Sequence, residues 1–180
     1  MSKHNLQTAA AKLSGVSYEQ SLLASTSLHP TLLDRIGGPS GFYTLSTLFY
    51  NRVFNDTANP WFLGIFATST KEEAIDNQYR FLVQFFGGEE LYNAKKGGKY
   101  GVRLVGRHAN YQIQARAAER WVEHMNCAID EHEALLGDKE GRDYLKLYFR
   151  FTAYYIVVAK DYMRDDQLSG GTQMDKGRVW

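Results

Sequence analysis

Histidine is the residue type through which this sequence could most directly bind a metal ion, because a neutral imidazole coordinates through one ring nitrogen. Among the five histidines, His108 has the most unusual context, since it follows a glycine-rich stretch and comes directly after Arg107. An imidazole at this place could hold a metal with one nitrogen while the other donates a hydrogen bond to a carbonyl group. On these residues alone, a purely structural role for His108 stays open.

The other histidines do not have the spacing of a metal site. His4 and His29 fall in polar segments, and we expect both to face solvent. His124 and His132 lie in one predicted helix, about two turns apart, which leaves them roughly 80° apart around its axis. A zinc site needs ligands on one face of a helix and further ligands elsewhere, so zinc binding by this pair is not predicted.

Motifs of cofactor-free enzymes are missing from the sequence. None of the patterns GxSxG, HExxH, CxxC and DxDxDG occurs, and the glycine-rich stretch lacks the phosphate-binding pattern GxxxxGK[ST]. A hydrolase that works without a cofactor is therefore not indicated. The single cysteine, Cys127, cannot form an intrachain disulfide and weakly favours a reducing compartment. We expect Cys127 to be a small buried residue of a helix.

Composition limits the class of protein. The chain has 180 residues, which is enough for one domain with its own core. Aromatic residues make up 14% of it, which indicates a core of large rings or a pocket walled by rings for a flat ligand. A net charge of +1 creates no field that would attract nucleic acid or an anionic membrane.

Targeting signals are equally sparse. The sequence has no apolar run long enough for a membrane helix, and its N-terminal stretch lacks the apolar centre of a secretory signal. We therefore expect a cytoplasmic protein. An organelle transit peptide stays open as the alternative, because the N-terminal stretch is basic and has no acidic residues.

The periodicity of apolar residues predicts an all-α protein. Four segments have helical periodicity and are predicted as the main helices: 39–55, 70–86, 114–136 and 138–159. A weaker helix is predicted over 5–24, interrupted near Gly15, and its sparse apolar positions need a covering surface, which favours a homodimer. Residues 89–106 predict a long loop, and the chain after Lys160 predicts a flexible polar tail. Two antiparallel helix pairs that cross each other are the expected packing.

Local signals mark where these helices begin and which side faces inward. Thr31 with Asp34, and Ser69 with Glu72, have the spacing of capping boxes. The expected inner face of the first main helix carries Phe42, Leu45, Phe49 and Val53. That of the second carries Ala74, Gln78, Phe81, Leu82 and Phe85. The glutamine in this set must find a hydrogen-bond partner if it is buried. The apolar run 61–66 is predicted to pack inward as one or two helical turns.

Several segments together resemble the group II truncated haemoglobins, and the plant and algal type most of all. They are LLDRIGG, LSTLFYNRVFND, GIF, KEEAIDNQYRFLVQFFGG, LY, GRH and AAERWVEHM. The spacing from His108 to Trp121 also matches the family. The resemblance covers about residues 28–160. It implies an N-terminal extension over 1–27, a truncated globin domain over 28–160, and a C-terminal tail over 161–180.

The resemblance implies a fold of two helices over two, with haem b, iron protoporphyrin IX, held between them. It assigns His108 to the proximal iron ligand. Facing the bound gas it places Tyr50, Gln78 and Trp121, together with Ala74 at the position where conventional globins have a histidine. Haem-wall rings are assigned to Phe66 and Phe81. Arg107 matches the partner of a haem propionate, and Arg103 and Tyr92 are further candidates for that role, because the chain departs from the family pattern beside His108.

The function implied by the resemblance is reversible binding of O2 and of other diatomic ligands such as NO and CO. Tyrosine, glutamine and tryptophan all donate hydrogen bonds, so they could stabilise the partial negative charge of bound O2. A redox enzyme is a second hypothesis, with NO dioxygenation, nitrite reduction or peroxide reduction supported by an external reductase. A gas or redox sensor whose extension signals to a partner is a third hypothesis, and a helical scaffold without a cofactor is a fourth.

Overall fold

The computed structural model describes residues 3–66, 69–97, 108 and 113–168. Within these ranges the chain is helical and contains no strand. Its α-helices are α1 Lys3–Ser14, α2 Tyr18–Thr26, α3 Leu32–Arg35, α4 Gly38–Phe54, α5 Pro60–Leu63, α6 Lys71–Phe85, α7 Leu91–Lys95, α8 Ala115–Glu131 and α9 Lys139–Leu168. Two short 3-10 turns follow α5 and α8, over Gly64–Phe66 and Glu133–Leu135. The predicted all-α class is confirmed.

Capping boxes mark where α3 and α6 begin. Before α3, the Thr31 hydroxyl accepts from the Asp34 amide and the Asp34 carboxylate accepts from the Thr31 amide, so the predicted capping box is present. The box before α6 is formed by Thr70 and Glu73, one residue later than the predicted pair. The sequence STKEE satisfies the same spacing in both registers, so the pattern alone could not choose between them.

The four long helices form two layers. α4 packs along α6, α8 packs along α9, and α4 also crosses against α8. This is the predicted arrangement of two helices over two. The predicted inner face of α4 is confirmed, because Phe42, Leu45, Phe49 and Val53 are completely buried. Large rings hold the layers together, as where Phe42 stacks on Phe86 with centroids 5.3 Å apart.

The N-terminal helices lie on the outer side of α9. Leu6 and Ala10 of α1 are buried against Phe151 and Tyr155 of α9. Leu6 and Ala10, two of the apolar positions that favoured a homodimer, are therefore covered by a helix of the same chain, whereas Leu13 is 49% exposed. The homodimer stays a prediction. The predicted interruption near Gly15 is confirmed, since this glycine has φ 72° and separates α1 from α2.

Three boundaries differ from the prediction. α8 ends at Glu131 instead of Leu136, because His132, predicted in the same helix as His124, has an extended backbone. The segment predicted as a loop over 89–106 contains α7, which is anchored by Tyr92, a residue only 5% exposed. A helix of five residues is too short to show periodicity in the sequence. α9 extends to Leu168 and thus into the predicted tail, because its last turns contain neither glycine nor proline. The other residues predicted as loop or tail, 98–106 and 169–180, lie outside the described residues.

The prediction for Cys127 is wrong. Its side chain is exposed, because it lies on the outer side of α8 while Met125, Ala128 and Ile129 face the core. A cysteine within an apolar periodic segment still takes the side that its register dictates. None of the described helices combines the length and the apolar content that crossing a bilayer requires.

A cavity between the two helix layers

A cavity of about 470 Å³ lies between the helix layers. Its walls come from α4, α6, α8 and α9, with the turn after α5 and residues of α7 at its margin. This volume is within the range of pockets that hold small-molecule ligands and cofactors. The position follows from the fold, because each of the four long helices turns one side towards the space between the pairs.

Eight of the ten residues predicted for the site line this single cavity. They are Tyr50, Phe66, Ala74, Gln78, Phe81, Tyr92, His108 and Trp121. They come from four helices, from the 3-10 turn after α5 and from position 108, and are spread over more than seventy positions of the sequence. The remaining two, Arg103 and Arg107, lie outside the described residues, and their pairing with a propionate stays a prediction.

Three of the polar side chains that line the cavity, Tyr50, Gln78 and Trp121, come from three different helices. Tyr50 of α4 is 9% exposed, and its ring packs edge-on against Phe49 with centroids 4.9 Å apart. Trp121 of α8 packs on the same Phe49, also at 4.9 Å. Aromatic neighbours at these distances restrict the rotation of both rings, so both side chains are held at the cavity wall by the core behind them.

Gln78 supplies the clearest sign that the cavity accepts a polar group. Its side-chain oxygen Oε1 is buried and has no hydrogen-bond partner among the described protein atoms. A buried amide oxygen without a partner costs about 1–3 kcal/mol. The amide can present either its oxygen or its NH2 group after rotation, so it is suited to a ligand that accepts a hydrogen bond as well as to one that donates.

His108 is half-buried and faces the same cavity. Its backbone oxygen accepts a hydrogen bond from Nζ of Lys160 on α9, at 2.9 Å. Burial lowers the pKa of this lysine. The inner side of α9 also lines the cavity, through Phe149, Thr152 and Ile156 at helical spacing.

The predicted inward packing of the segment 61–66 holds for Phe62 and Phe66 but not for Trp61, which is 37% exposed. Phe62 is 1% exposed, and Phe66 packs against it at 5.3 Å and against Tyr50 at 5.9 Å. Phe62 and Phe66 both line the cavity. The short helix α5 and the turn after it thus place two rings beside Tyr50, which gives this end of the cavity an aromatic wall.

Behind this wall lies a buried polar cluster that the sequence did not predict. The Asp56 carboxylate accepts from Nε of Arg120 at 2.8 Å and pairs with Nε2 of His124 at 2.9 Å. The Arg120 guanidinium holds the pKa of Asp56 far below its usual range, against the opposing effect of burial. Phe62 packs on the His124 ring, with centroids 5.6 Å apart. Asp56 therefore joins the connection after α4 to α8, directly behind the ring wall.

Two further histidines therefore have structural roles. His124 belongs to the Asp56 cluster, and Nε2 of buried His132 is 2.9 Å from the Gly41 carbonyl oxygen. His29 is exposed, as expected. Across the ranges that the structure describes, no three histidine, cysteine, aspartate or glutamate side chains come together as a metal site.

Some cavity residues were missed by the sequence analysis. Lys96 and Asn77 line it from the α7 and α6 side, and Ala153 and Ile156 line it from α9. The α9 pair could have been found, because both residues continue the helical spacing of Phe149. Lys96 carried no such signal, since it stands in a run of polar residues.

Comparison with known proteins identifies the family. The profile of the family described as "Bacterial-like globin" matches residues 31–151. The chain is 39% identical over 157 residues to "Two-on-two hemoglobin-3" of Arabidopsis thaliana, which covers 87% of this chain and 84% of that protein. It is also 39% identical over 154 residues to "Group 2 truncated hemoglobin 3-1" of Lotus japonicus, covering 86% of each.

Solved structures agree in fold. A thermostable haemoglobin from the actinobacterium Thermobifida fusca superposes with a TM-score of 0.60 and 28% identity, over 70% of this chain and 95% of that one. The matched family segment contains the whole of α4, α6 and α8 and the first part of α9, and hence most of the cavity wall. The chain belongs to the bacterial-like globin family and is a group 2 truncated haemoglobin, a haem protein that binds small gaseous ligands such as O2.

Proposed function

We propose that His108 is the proximal ligand of the iron of haem b, and that Tyr50, Gln78 and Trp121 surround the diatomic ligand. One observation carries this proposal: a single imidazole, that of His108, lines the same cavity as Tyr50, Gln78 and Trp121, and most of the other residues that line it are aromatic or aliphatic. These residues come from separate parts of the chain, and only the fold brings them together.

The residues present fit a haem group. A porphyrin is flat and apolar at its centre, and Phe66 and Phe81 offer rings on the cavity wall. The unpartnered Oε1 of Gln78 is a sign that the cavity is built for a polar group as well. When bound, haem supplies a redox-active iron with open coordination for a diatomic molecule.

His108 contributes a neutral imidazole, which is the usual form of a histidine that binds iron. Half-burial limits the access of water to this ring, and the backbone of the residue is tied to α9. An imidazole held in one orientation is a better ligand than a mobile one, because less conformational freedom is lost on binding.

The three polar side chains act by hydrogen bonding. The tyrosine hydroxyl, the glutamine amide and the indole N–H are all donors, and bound O2 carries partial negative charge. Donors fixed in a cavity with little water stabilise such charge more than they would in bulk solvent. Ala74 leaves space beside them, so a diatomic ligand meets little steric hindrance on that side.

His108→Ala tests the ligand assignment. We expect the purified variant to lose stable haem binding, seen as loss of the Soret band after gel filtration, because no other histidine and no cysteine is among the described residues that line the cavity. Added imidazole should restore the band by entering the space left by the side chain. His29→Ala is the matched control, since that histidine is exposed and does not line the cavity.

Two outcomes would contradict the proposal. Haem binding by His108→Ala as stable as in the unaltered protein would remove His108 as the ligand. The absence of a Soret band in the unaltered protein, even after addition of haem, would remove the cofactor itself.

A redox enzyme is the second candidate, and the three donors favour it, because they should slow the release of O2 and leave time for chemistry. The chain would then need an external reductase. Sustained nitrate formation from NO and O2 in the presence of a reductant, measured over many turnovers, distinguishes an NO dioxygenase from a protein that only binds the gas.

A further inference from the structure

The inner side of α9 ends in a lysine that reaches the backbone of His108. Phe149, Ala153 and Ile156 line the cavity at helical spacing, and Lys160 follows four residues after Ile156, on the same side of the helix. Its Nζ donates a hydrogen bond of 2.9 Å to the His108 carbonyl oxygen, across 52 positions of the sequence. A lysine one turn beyond the last cavity-lining residue of α9 is therefore tied to the residue proposed to bind iron.

This hydrogen bond is of a strong kind. The donor is a charged ammonium group, the bond is partly buried, and charge-assisted hydrogen bonds are shorter and stronger than neutral ones. A long lysine side chain loses much conformational freedom when it is held in one place. The hydrogen bond to His108 must therefore compensate for this loss of conformational entropy. A hydrogen bond fully exposed to water would compensate for less of it.

The helix that carries this lysine is itself held on both sides. Phe151 and Tyr155 pack under α1, while Phe149 belongs to the central core of the two helix layers. Lys160 therefore projects from a fixed support. Another lysine of α9 serves a different purpose: Lys146 pairs with the half-exposed carboxylate of Asp130, at 2.6 Å.

We propose that Lys160 is a positioning residue for the haem ligand: it holds the backbone of His108 against α9 and so sets where the imidazole enters the cavity. The proposal rests on the proposed role of His108 as the iron ligand. Lys160 touches neither the iron nor the gas. Its effect is exerted through the main chain of His108, and its positive charge lies 2.9 Å from the carbonyl oxygen of that residue.

Lys160→Met tests this role in the full-length protein loaded with haem. We expect the iron–histidine stretching band of the ferrous form, measured by resonance Raman spectroscopy, to shift or broaden. Haem should dissociate roughly 10- to 100-fold faster, as is usual when a group that orients a metal ligand is removed. The reduction potential of the iron should fall, because the lost positive charge favoured the less positive ferrous state.

Three variants make the test specific. Lys146→Met is the matched control, because it makes the same substitution on the same helix at a surface ion pair; its iron–histidine band and haem loss should equal those of the unaltered protein. Lys160→Arg keeps a charged donor, so its iron–histidine band and its rate of haem loss should stay close to those of the unaltered protein. If Lys160→Met does not fold, Lys160→Gln takes its place, since it removes the charge but keeps a polar side chain.

The inference is overturned if Lys160→Met, or its replacement Lys160→Gln, has an unchanged iron–histidine band and unchanged haem loss. It is also overturned if Lys146→Met accelerates haem loss equally, because the effect would then be general to α9. Failure of the proposed function is a separate result: in that case His108→Ala would retain haem and its iron–histidine band. Loss of haem in His108→Ala together with no effect of Lys160→Met would reject the positioning role alone.

Discussion

Tyr50, Gln78 and Trp121 all carry hydrogen-bond donors and line the cavity from α4, α6 and α8. Tyr50 and Trp121 are fixed by a shared ring neighbour, Phe49, which lies 4.9 Å from each. Gln78 carries the unpartnered buried oxygen. At this scale, the selectivity of the site depends on how many donors reach the bound molecule at the same time, because each contributes separately to its stability.

Removal of one donor should accelerate the release of O2. For Tyr50→Phe and for Trp121→Phe we expect a loss of about 1–3 kcal/mol of ligand stabilisation, which corresponds to roughly 5- to 150-fold faster release. Stopped-flow mixing of the oxygenated protein with an O2 scavenger measures the rate. Tyr43→Phe is the control, since Tyr43 is on the same helix but 51% exposed. Unchanged rates in both cavity variants would remove these residues from contact with the ligand.

The site residues could be predicted only to the extent that a pattern marks them. The face of α6 was visible from spacing, so Gln78 was recognisable as a polar residue among apolar neighbours. His108 has no such periodic pattern; its glycine-rich context drew attention to it but left a structural role open, and only the resemblance to a family assigned it to iron. Cys127 was predicted to be buried because cysteine usually is, but it lies on the outer face of α8. The residue type alone was a misleading guide there.

At the scale of elements, the connection after α4 is held to α8 by charge. Asp56 has a side chain only 2% exposed and binds both Arg120 and His124. Phe62 packs on His124, and it also lines the cavity. The Asp56 cluster thus supports the aromatic wall of the cavity. Its loss should disturb the position of that wall and also destabilise the fold.

Asp56→Asn should lower the free energy of unfolding by roughly 2–4 kcal/mol at neutral pH, because Arg120 loses its buried partner. The folded-state pKa of Asp56 lies below its ordinary value of 3.8. Its ionised form therefore stabilises the fold above that pH, and this contribution is lost as the pH falls towards the folded pKa. The difference between the two proteins should shrink below about pH 4. Urea denaturation at several pH values measures it.

Asp130→Asn provides the control for this prediction. Asp130 is 53% exposed and pairs with Lys146, and such surface pairs contribute about 0–1 kcal/mol. Equal losses for the two variants, or a difference that persists undiminished as the pH falls well below 4, would show that the charge of Asp56 is not what stabilises this connection.

Long helices were predictable from sequence because burial of one face imposes a period on many residues. α4, α6, α8 and the first two-thirds of α9 follow that rule. α7 could not be found in this way, since five residues include too few turns to show a period. The Asp56 cluster was equally invisible, because Asp56 and Arg120 are 64 positions apart and no local spacing encodes their contact.

At the scale of the whole molecule, the N-terminal helices are part of the folded body. Ala10 is completely buried against α9, and the Ser14 carbonyl oxygen accepts a hydrogen bond of 2.6 Å from Nε of Arg150. The sequence showed that α1 needs a covering surface, but it could not show that the surface belongs to the same chain. Partner choice depends on tertiary geometry, which a weak apolar stripe does not encode.

Ala10→Asp should detach α1 from α9, because an unpaired carboxylate cannot stay in an apolar contact. We expect the free energy of unfolding to fall by roughly 2–4 kcal/mol and proteolytic cleavage between α1 and α2 to become faster. Chemical denaturation and limited proteolysis measure the two effects. Leu13→Asp introduces the same charge on the same helix at a position 49% exposed, and it should change both much less. Equal effects would contradict the docking of α1 on α9.

The two-sided use of α9 has a further consequence. Its outer side carries α1 through Phe151, Tyr155 and Ala159, and its inner side faces the cavity over the same turns. Two binding events that act on one shared element are thermodynamically linked, and the coupling free energy between them is equal in both directions. If a ligand in the cavity changes the free energy with which α1 packs on α9, then the packing of α1 changes the binding free energy of that ligand by the same amount.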